Sequence, residues 1–341
     1  MRVAKYYSNS DVRLEEMPVP QIGPKEILVR VIASGICGSD VMEWYRTKKA
    51  PLVLGHEIAG EIVSIGHDVK RYKKGERVFV SHHVPCNTCH YCLNGHYSVC
   101  DTLRSTNFDP GGFAEYVRVP EINVDRGIFV LPEEMTYEEG AFIEPLACCI
   151  RGQRRAQFKP GQSVLIIGSG ISGLLHLKLA RALGAGKIFT TDRNNDRLEY
   201  ARQFGADGVI RADEDVPAQL RNINYNRLAD CVIVCTAARS AIAQAWHSAD
   251  RGGTILLFAP TEPADEVPFP FWDIWHDGIT VTTSYAGSPL DFEIAIDLIS
   301  SRRLHVTDMI THRLGLAETG KGFELVAEAK ECLKVIIEPQ R

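Results

Sequence analysis

Apolar and polar residues alternate over the first part of the chain. In "EILVRVIASG", Ile27, Val29 and Val31 share one face, as in a strand with one buried side. "HEIAGEIVSIG", "ERVFV" and "AEYVRVP" continue the pattern between Gly, Pro and Asp turns. Residues 1 to about 145 therefore read as a β-rich domain, a meander or barrel-like sheet.

The texture changes after the turn signal Lys159-Pro160-Gly161. "SVLIIG" is a continuous apolar run, as expected of a strand buried on both faces. Ile171, Leu175, Leu179 and Leu183 then repeat at the helical interval. "KIFTT", "DGVIRA", "DCVIVCTA" and "GGTILLFA" read as further strands, with "DRLEYARQFG" and "SAIAQAWHSAD" as helices between them. This alternation over residues 160–260 predicts a parallel sheet with crossover helices. The tail carries helices at "PLDFEIAIDLISSRR" and near "GKGFELVAEAKE". It closes with the strand-like "CLKVIIEP", which is expected to return to the first domain.

Length and charge narrow the function. A chain of 341 residues exceeds what one core usually supports, so two domains are expected. A net charge of -5 with no Lys/Arg block makes nucleic acid and anionic membranes poor partners. The N-terminus has no apolar signal core, and no run reaches the length of a spanning helix. A cytoplasmic protein with reduced thiols is the expectation.

Against that background the segment "PCNTCHYCLNGHYSVC" places four of the ten cysteines within sixteen residues. Cys86, Cys89, Cys92 and Cys100 have the spacing C-x2-C-x2-C-x7-C. Two intervening residues let a tight turn set neighbouring sulfurs on one edge of a tetrahedron, so the loop reads as a closed structural Zn2+ site. An iron–sulfur cluster is the sharper rival. In ferredoxins, however, the fourth Cys follows after three residues and precedes Pro, whereas here Asp101 follows Cys100. A nucleic-acid-binding zinc ribbon would need basic neighbours, and the loop has none.

"VLIIGSGISGLLHLKLARALGA" holds Gly168, Gly170 and Gly173 between a buried strand and a helix, with Asp192 ending the next strand 19 residues beyond Gly173. Gly168 allows the tight turn. Gly170 lets the backbone approach a pyrophosphate, with Ile171 and Ser172 opening the helix whose positive end meets it. Gly173 lets helix and strand pack closely. Asp192 would accept from the adenosine ribose hydroxyls and repel a 2′-phosphate, favouring NAD, while Arg193 could accommodate that phosphate and keeps NADP open.

Cys37 in "GICGSD", His56 and Glu57 in "GHEIAGEIVSIG" and Glu144 in "EPLAC" each have a bland reading alone. Together with "GERVFV", the cysteine loop, "GGFAEYVRVP", the Gly-rich turn and "LKVIIEP", they resemble the zinc-dependent medium-chain alcohol dehydrogenases, particularly the sorbitol and L-threonine dehydrogenase branch. The resemblance covers nearly the whole chain. It implies an α/β fold: a GroES-like β-rich catalytic domain from residues 1–148 and 286–341, with the cysteine lobe at about 85–101, and a Rossmann doubly wound parallel sheet at 149–285.

The resemblance further implies that Cys37, His56 and Glu144 hold a second, catalytic Zn2+, with Glu57 able to join them. Such a metal acts as a Lewis acid on an alcohol. Ser39 would relay the alcohol proton outward. The implied activity is transfer of a hydride from a secondary alcohol, in a polyol, sugar alcohol or cyclitol, to NAD. L-threonine or another amino alcohol is the alternative. A catalytically inactive nucleotide-binding protein and a zinc-free reductase are rivals from other classes. A homo-oligomer, most often a tetramer, is also implied.

One position departs from the family. Close relatives commonly carry His three residues after that hydroxyl, and this chain has Met42. A thioether carries no proton, so the relay must end through water or another group. Glu43 is adjacent but faces another direction on a helix. Asp40 reads as a cap of the short helix that follows. Trp44, Phe108 and Tyr285 are candidates to line a pocket or simply to pack. His82 and His83 are expected at the surface or between domains rather than as ligands. Cys148, Cys149, Cys231, Cys235 and Cys332 read as packing residues.

Overall fold

The chain opens with an antiparallel hairpin, β1 (Arg2–Ser8) and β2 (Asp11–Glu16). The structure, a computed structural model, describes residues 1–341 as two units, Met1–Ala147 with Ala286–Arg341, and Cys148–Tyr285. In the first unit the alternation around Ile27 becomes β3 (Ile27–Gly35), followed by β4 (Leu52–Val53), β5 (Glu57–Ile65), β6 (Arg77–Val80), β7 (Tyr116–Val119) and β8 (Ile128–Val130). β3 runs antiparallel to both β5 and β7. Ile27, Val29 and Val31 are sealed against Ile58, Ile62, Val78 and Val117, so the residues that alternate in sequence form one wall of this core. Burying each such side chain stabilises the fold by about 1.5–3 kcal/mol.

The second unit has six parallel strands: β9 (Val164–Ile167), β10 (Ile188–Asp192), β11 (Gly208–Arg211), β12 (Ala229–Val234), β13 (Ala249–Leu257) and β14 (Thr280–Thr283). Their order is β11-β10-β9-β12-β13-β14. That is the doubly wound arrangement, whose direction of travel reverses between β9 and β12, where such folds bind ligands. All four residues of β9 are buried, which is why its sequence is an unbroken apolar run. The edge strand β14 was not expected. "TVTT" is short and wholly without full burial, so it carries neither apolar signal.

The chain then returns to the first unit through the helix Pro289–Ser300, β15 (Ile310–Gly315), the helix Thr319–Glu328 and β16 (Lys334–Glu338). β16 lies between β15 and β3, parallel to the former and antiparallel to the latter. The closing segment is thus an interior strand, with Ile336 opposite Gly35. No helix is long and apolar enough to cross a membrane.

Candidate active site

β3 ends at Gly35, and the chain turns through Cys37 into the single 3-10 turn Gly38–Val41. Cys37 caps that turn. Its Sγ accepts from the Ser39 N–H at 3.5 Å, and its own N–H donates to Asp40 Oδ2 at 3.1 Å. His56 and Glu57 stand at the start of β5, the strand paired with β3, with Glu57 opposite Gly35. Pairing of the two strands therefore brings residues about twenty apart in sequence together. Ligand atoms of Cys37, His56 and Glu57 lie within 4.8 Å of one another. Glu144 is buried on the helix Ile143–Arg155 and is not one of these three.

Asp40 is fully buried, and its Oδ1 lies 3.4 Å from His56 Nδ1. Burial alone would raise the carboxyl's pKa, but His56 and Arg46 together hold it below the usual range. Burial likewise pushes His56 down, and Asp40 and Cys37 outweigh it, holding the imidazole well above its usual value. A carboxylate on Nδ1 fixes the ring and leaves Nε2 for a ligand, the arrangement metal-binding histidines use.

Lys334 of β16 closes the other side. Its Nζ pairs with Glu57 Oε2 and donates to the Ile36 carbonyl at 3.1 Å. Glu57 Oε1 is buried with no hydrogen-bond partner. A β-carbon on Gly35 would lie 2.1 Å from Glu57 Oε2, so only glycine leaves the pair its room. An orphaned carboxylate oxygen beside a thiol and an imidazole is a donor set suited to zinc.

Ser39 is partly exposed. Arg46, at the end of the short helix Glu43–Arg46, donates from Nη2 to Ser39 Oγ at 3.1 Å and from Nε to the Ser39 carbonyl at 2.9 Å. Nη2 also reaches Asp40 Oδ1 at 3.3 Å.

The cysteine loop brings Sγ of Cys86, Cys89, Cys92 and Cys100 within 4.8 Å of one another, and all ten cysteines are free thiols. Cys86 and Cys92 sulfurs are 3.9 Å apart. A tetrahedron with metal–sulfur distances near 2.3 Å has edges of about 3.8 Å, so the loop fits a zinc ion. The N–H groups of Thr88 and Cys89 donate to Cys86 Sγ and hold that thiol down at about 5, while burial pushes the Cys92 thiol up to about 12.

In the second unit the Gly-rich turn follows β9. Gly168 has φ +97°, and a β-carbon on Gly173 would meet the Gly168 carbonyl oxygen at 1.9 Å. Asp192 ends β10 and accepts from the Ser169 N–H at 2.8 Å and the Asn194 N–H at 2.9 Å. It is thus fixed beside the turn. Ile171 and Ser172 open the helix Ile171–Ala182, capped by Gly170. Arg193 is exposed.

Residues 23–126 match the alcohol dehydrogenase GroES-like domain, and residues 172–301 match the zinc-binding dehydrogenase domain. Sorbitol dehydrogenase of Bacillus subtilis is 31% identical over 352 residues, an alignment spanning 100% of this chain and 98% of that protein. The chain belongs to the zinc-dependent medium-chain alcohol dehydrogenase family. Among solved structures of the family, the alcohol dehydrogenase TADH from Thermus sp. ATN1 superposes with a TM-score of 0.89 at 29% identity, covering 99% of each chain. A zinc-binding dehydrogenase of Sinorhizobium meliloti, solved bound to NADP, superposes with a TM-score of 0.88 at 28% identity, again over 99% of each chain.

Several expectations change within this dehydrogenase. His82 is half-buried. Its ring lies 4.8 Å from that of His56 and 3.8 Å from that of His83, and its Nδ1 is out of solvent with no partner. Burial first, then the neighbouring imidazoles, keep it neutral by lowering its pKa well below the usual value. Phe108 packs in the core of the first unit, while Tyr285 is exposed. Two arginines escaped the sequence reading. Arg46 sits on a four-residue helix with no periodic signal. Arg197 lies five residues after Asp192 and brings Nη1 within 3.9 Å of Asp192 Oδ2, with its Nε buried and unpartnered. A β-carbon on Gly170 would stand 3.7 Å from the same Nη1. The visible clue was a cation in the first turn of the helix after Asp192.

Proposed function

We propose that this chain is a zinc-dependent oxidoreductase that transfers a hydride from a secondary alcohol of a polyol, sugar alcohol or cyclitol to a nicotinamide cofactor. The reading is carried by the convergence of Cys37, His56 and Glu57 beside Ser39, in a chain whose relatives include sorbitol dehydrogenases. Cys37 and His56 would hold the catalytic zinc, with Glu144 or Glu57 as the carboxylate. Cys86, Cys89, Cys92 and Cys100 would hold the structural one. Bound zinc supplies Lewis acidity, and the nicotinamide accepts the hydride.

The chain's own residues do the rest. Asp40 orients His56. Lys334 holds Glu57 through one oxygen and leaves the other available. Ser39 receives the alcohol proton at Oγ. Gly168, Gly170, Ile171, Ser172 and Gly173 form the turn and helix end that would cradle the pyrophosphate, and Asp192 would accept from the adenosine ribose. Asp192 supports NAD, whereas Arg193 and Arg197 are the cations a 2′-phosphate would need, and the Sinorhizobium relative was solved with NADP. The first unit would be the catalytic domain and the second the dinucleotide-binding domain. Reduced thiols suit the cytoplasm, and a homo-oligomer follows from the family.

The test is a screen of polyols, sugar alcohols, cyclitols and L-threonine, following NADH absorbance, with zinc measured on the same preparation. Polyol turnover with about two zinc per chain supports the reading. Robust threonine oxidation with no polyol turnover would replace its substrate class. A single zinc and no turnover would mean a structural protein.

A further inference from the structure

Met42, three residues after Ser39, can carry no proton, yet the hydroxyl before it is not left to itself. A serine oxygen has one O–H and two lone pairs. One lone pair of Ser39 Oγ accepts from Arg46 Nη2 at 3.1 Å. The same guanidinium grips the Ser39 carbonyl through Nε at 2.9 Å, so the backbone and side chain of Ser39 are held by one rigid plane. Arg46 is itself anchored: Nη2 lies 3.3 Å from Asp40 Oδ1, and the side chain is only 14% exposed. A guanidinium does not give up its protons, so Arg46 cannot be a link in the relay. It can decide which way the hydroxyl points.

We propose that Arg46 is the positioning residue of the proton relay, fixing the direction of the Ser39 hydroxyl. With one lone pair held by Nη2–H, Oγ presents the other to the substrate alcohol. The alcohol O–H bond breaks and a new O–H bond forms on Oγ. The original Ser39 O–H bond breaks as solvent water takes that proton. Ser39 ends neutral, Arg46 keeps all its protons, and the electron pair leaving carbon travels with the hydride to the nicotinamide. Ser39 is partly exposed, so water reaches it. This inference rests on the proposed dehydrogenase activity.

The experiment compares Arg46→Met, Arg46→Lys, Ser39→Ala and the Ser39→Ala/Arg46→Met pair, using whichever alcohol the wild type oxidises best. Expected for Arg46→Met is a loss of about 10- to 100-fold in kcat, with KM within a few-fold and zinc content unchanged. The loss shrinks towards nothing in the Ser39→Ala background, because the arginine acts through that hydroxyl. Arg46→Lys and added guanidinium each recover part of it. Independently of turnover, a crystal structure of zinc- and NADH-loaded Arg46→Met shows Ser39 in more than one rotamer, against one in the wild type. Wild-type turnover by Arg46→Met overturns the inference and leaves the activity standing. So does a loss that persists undiminished without the Ser39 hydroxyl and is accompanied by loss of zinc, which would mean action through Asp40 and His56. A wild type that oxidises no alcohol sinks the activity and this inference together.

Discussion

Lys334 and Glu57 form an ion pair in which each side chain is 1% exposed, and it ties the last strand of the sheet to a residue of the candidate zinc site. Taking two charges out of water is costly, and their attraction offsets that cost only while both are present. The pair is therefore more sensitive to loss of one member than of both.

Replacing Lys334 by Met strands a buried carboxylate. The expected cost is about 3–5 kcal/mol of unfolding free energy. The double variant Glu57→Gln/Lys334→Met is expected to lose less than the single. Urea unfolding of the three proteins checks this. A Lys334→Met midpoint at the wild-type value would mean that the pair contributes nothing.

The two candidate metal sites are expected to fail differently. Cys37→Ser should lower zinc from about two to about one per chain and abolish turnover, with little change in melting temperature, because the pairing of β3 with β5 already holds these segments together without an ion. Cys92→Ser should also lose one zinc, and here the melting temperature should fall, since the four sulfurs tie a loop with a small apolar core of its own around Leu103. Metal analysis and calorimetry on both variants decide the assignment. Equal thermal losses would argue against one structural and one catalytic ion.

Asp192 is the residue we propose to set the cofactor preference. Its carboxylate is fixed by the N–H groups of Ser169 and Asn194, and Arg197 stands 3.9 Å away. Replacing it by Ser removes the charge that repels a 2′-phosphate and leaves two arginines nearby. The ratio of kcat/KM for NADP over NAD is expected to rise at least about tenfold, about 1.4 kcal/mol of discrimination. An unchanged ratio would remove Asp192 from the recognition of the ribose.

His176 gives the second unit a pH dependence. It is fully buried between Gln153 and Phe258, with Gln153 Nε2 3.3 Å from its Nδ1. Burial lowers its pKa to about 3. In the unfolded chain it titrates near 6.5, so below that pH only the unfolded chain takes up the proton. Stability from this group is complete above about pH 6.5 and declines as pH falls towards 3. The loss should reach about 2 kcal/mol at pH 5. Urea midpoints at pH 7 and 5 for wild type and His176→Gln check the sign: the wild type should fall further between them.

What the sequence reveals depends on the distance between partners. The cysteine loop is legible because all four thiols lie within fifteen residues of one another, so their spacing alone suggests that they converge. The Gly-rich turn and Asp192 are legible because a buried strand fixes the residues that follow it. Lys334 is not, since its partner is 277 residues away and the contact exists only after β16 has joined β3. Arg46 and Arg197 each lie within eight residues of what they touch, yet arginines are common and nothing local marks these two. Strand β14 is silent for another reason: a sheet edge buries little, so selection for apolar residues is weak there.

The placement of β16 has a consequence for how the molecule is made. The first unit cannot complete its sheet until residues 334–338 have been synthesised, because they sit inside it rather than at its margin. The second unit ends at Tyr285, well before them. On the ribosome the second unit can therefore mature while the first is still waiting, its thiols open to any passing ion.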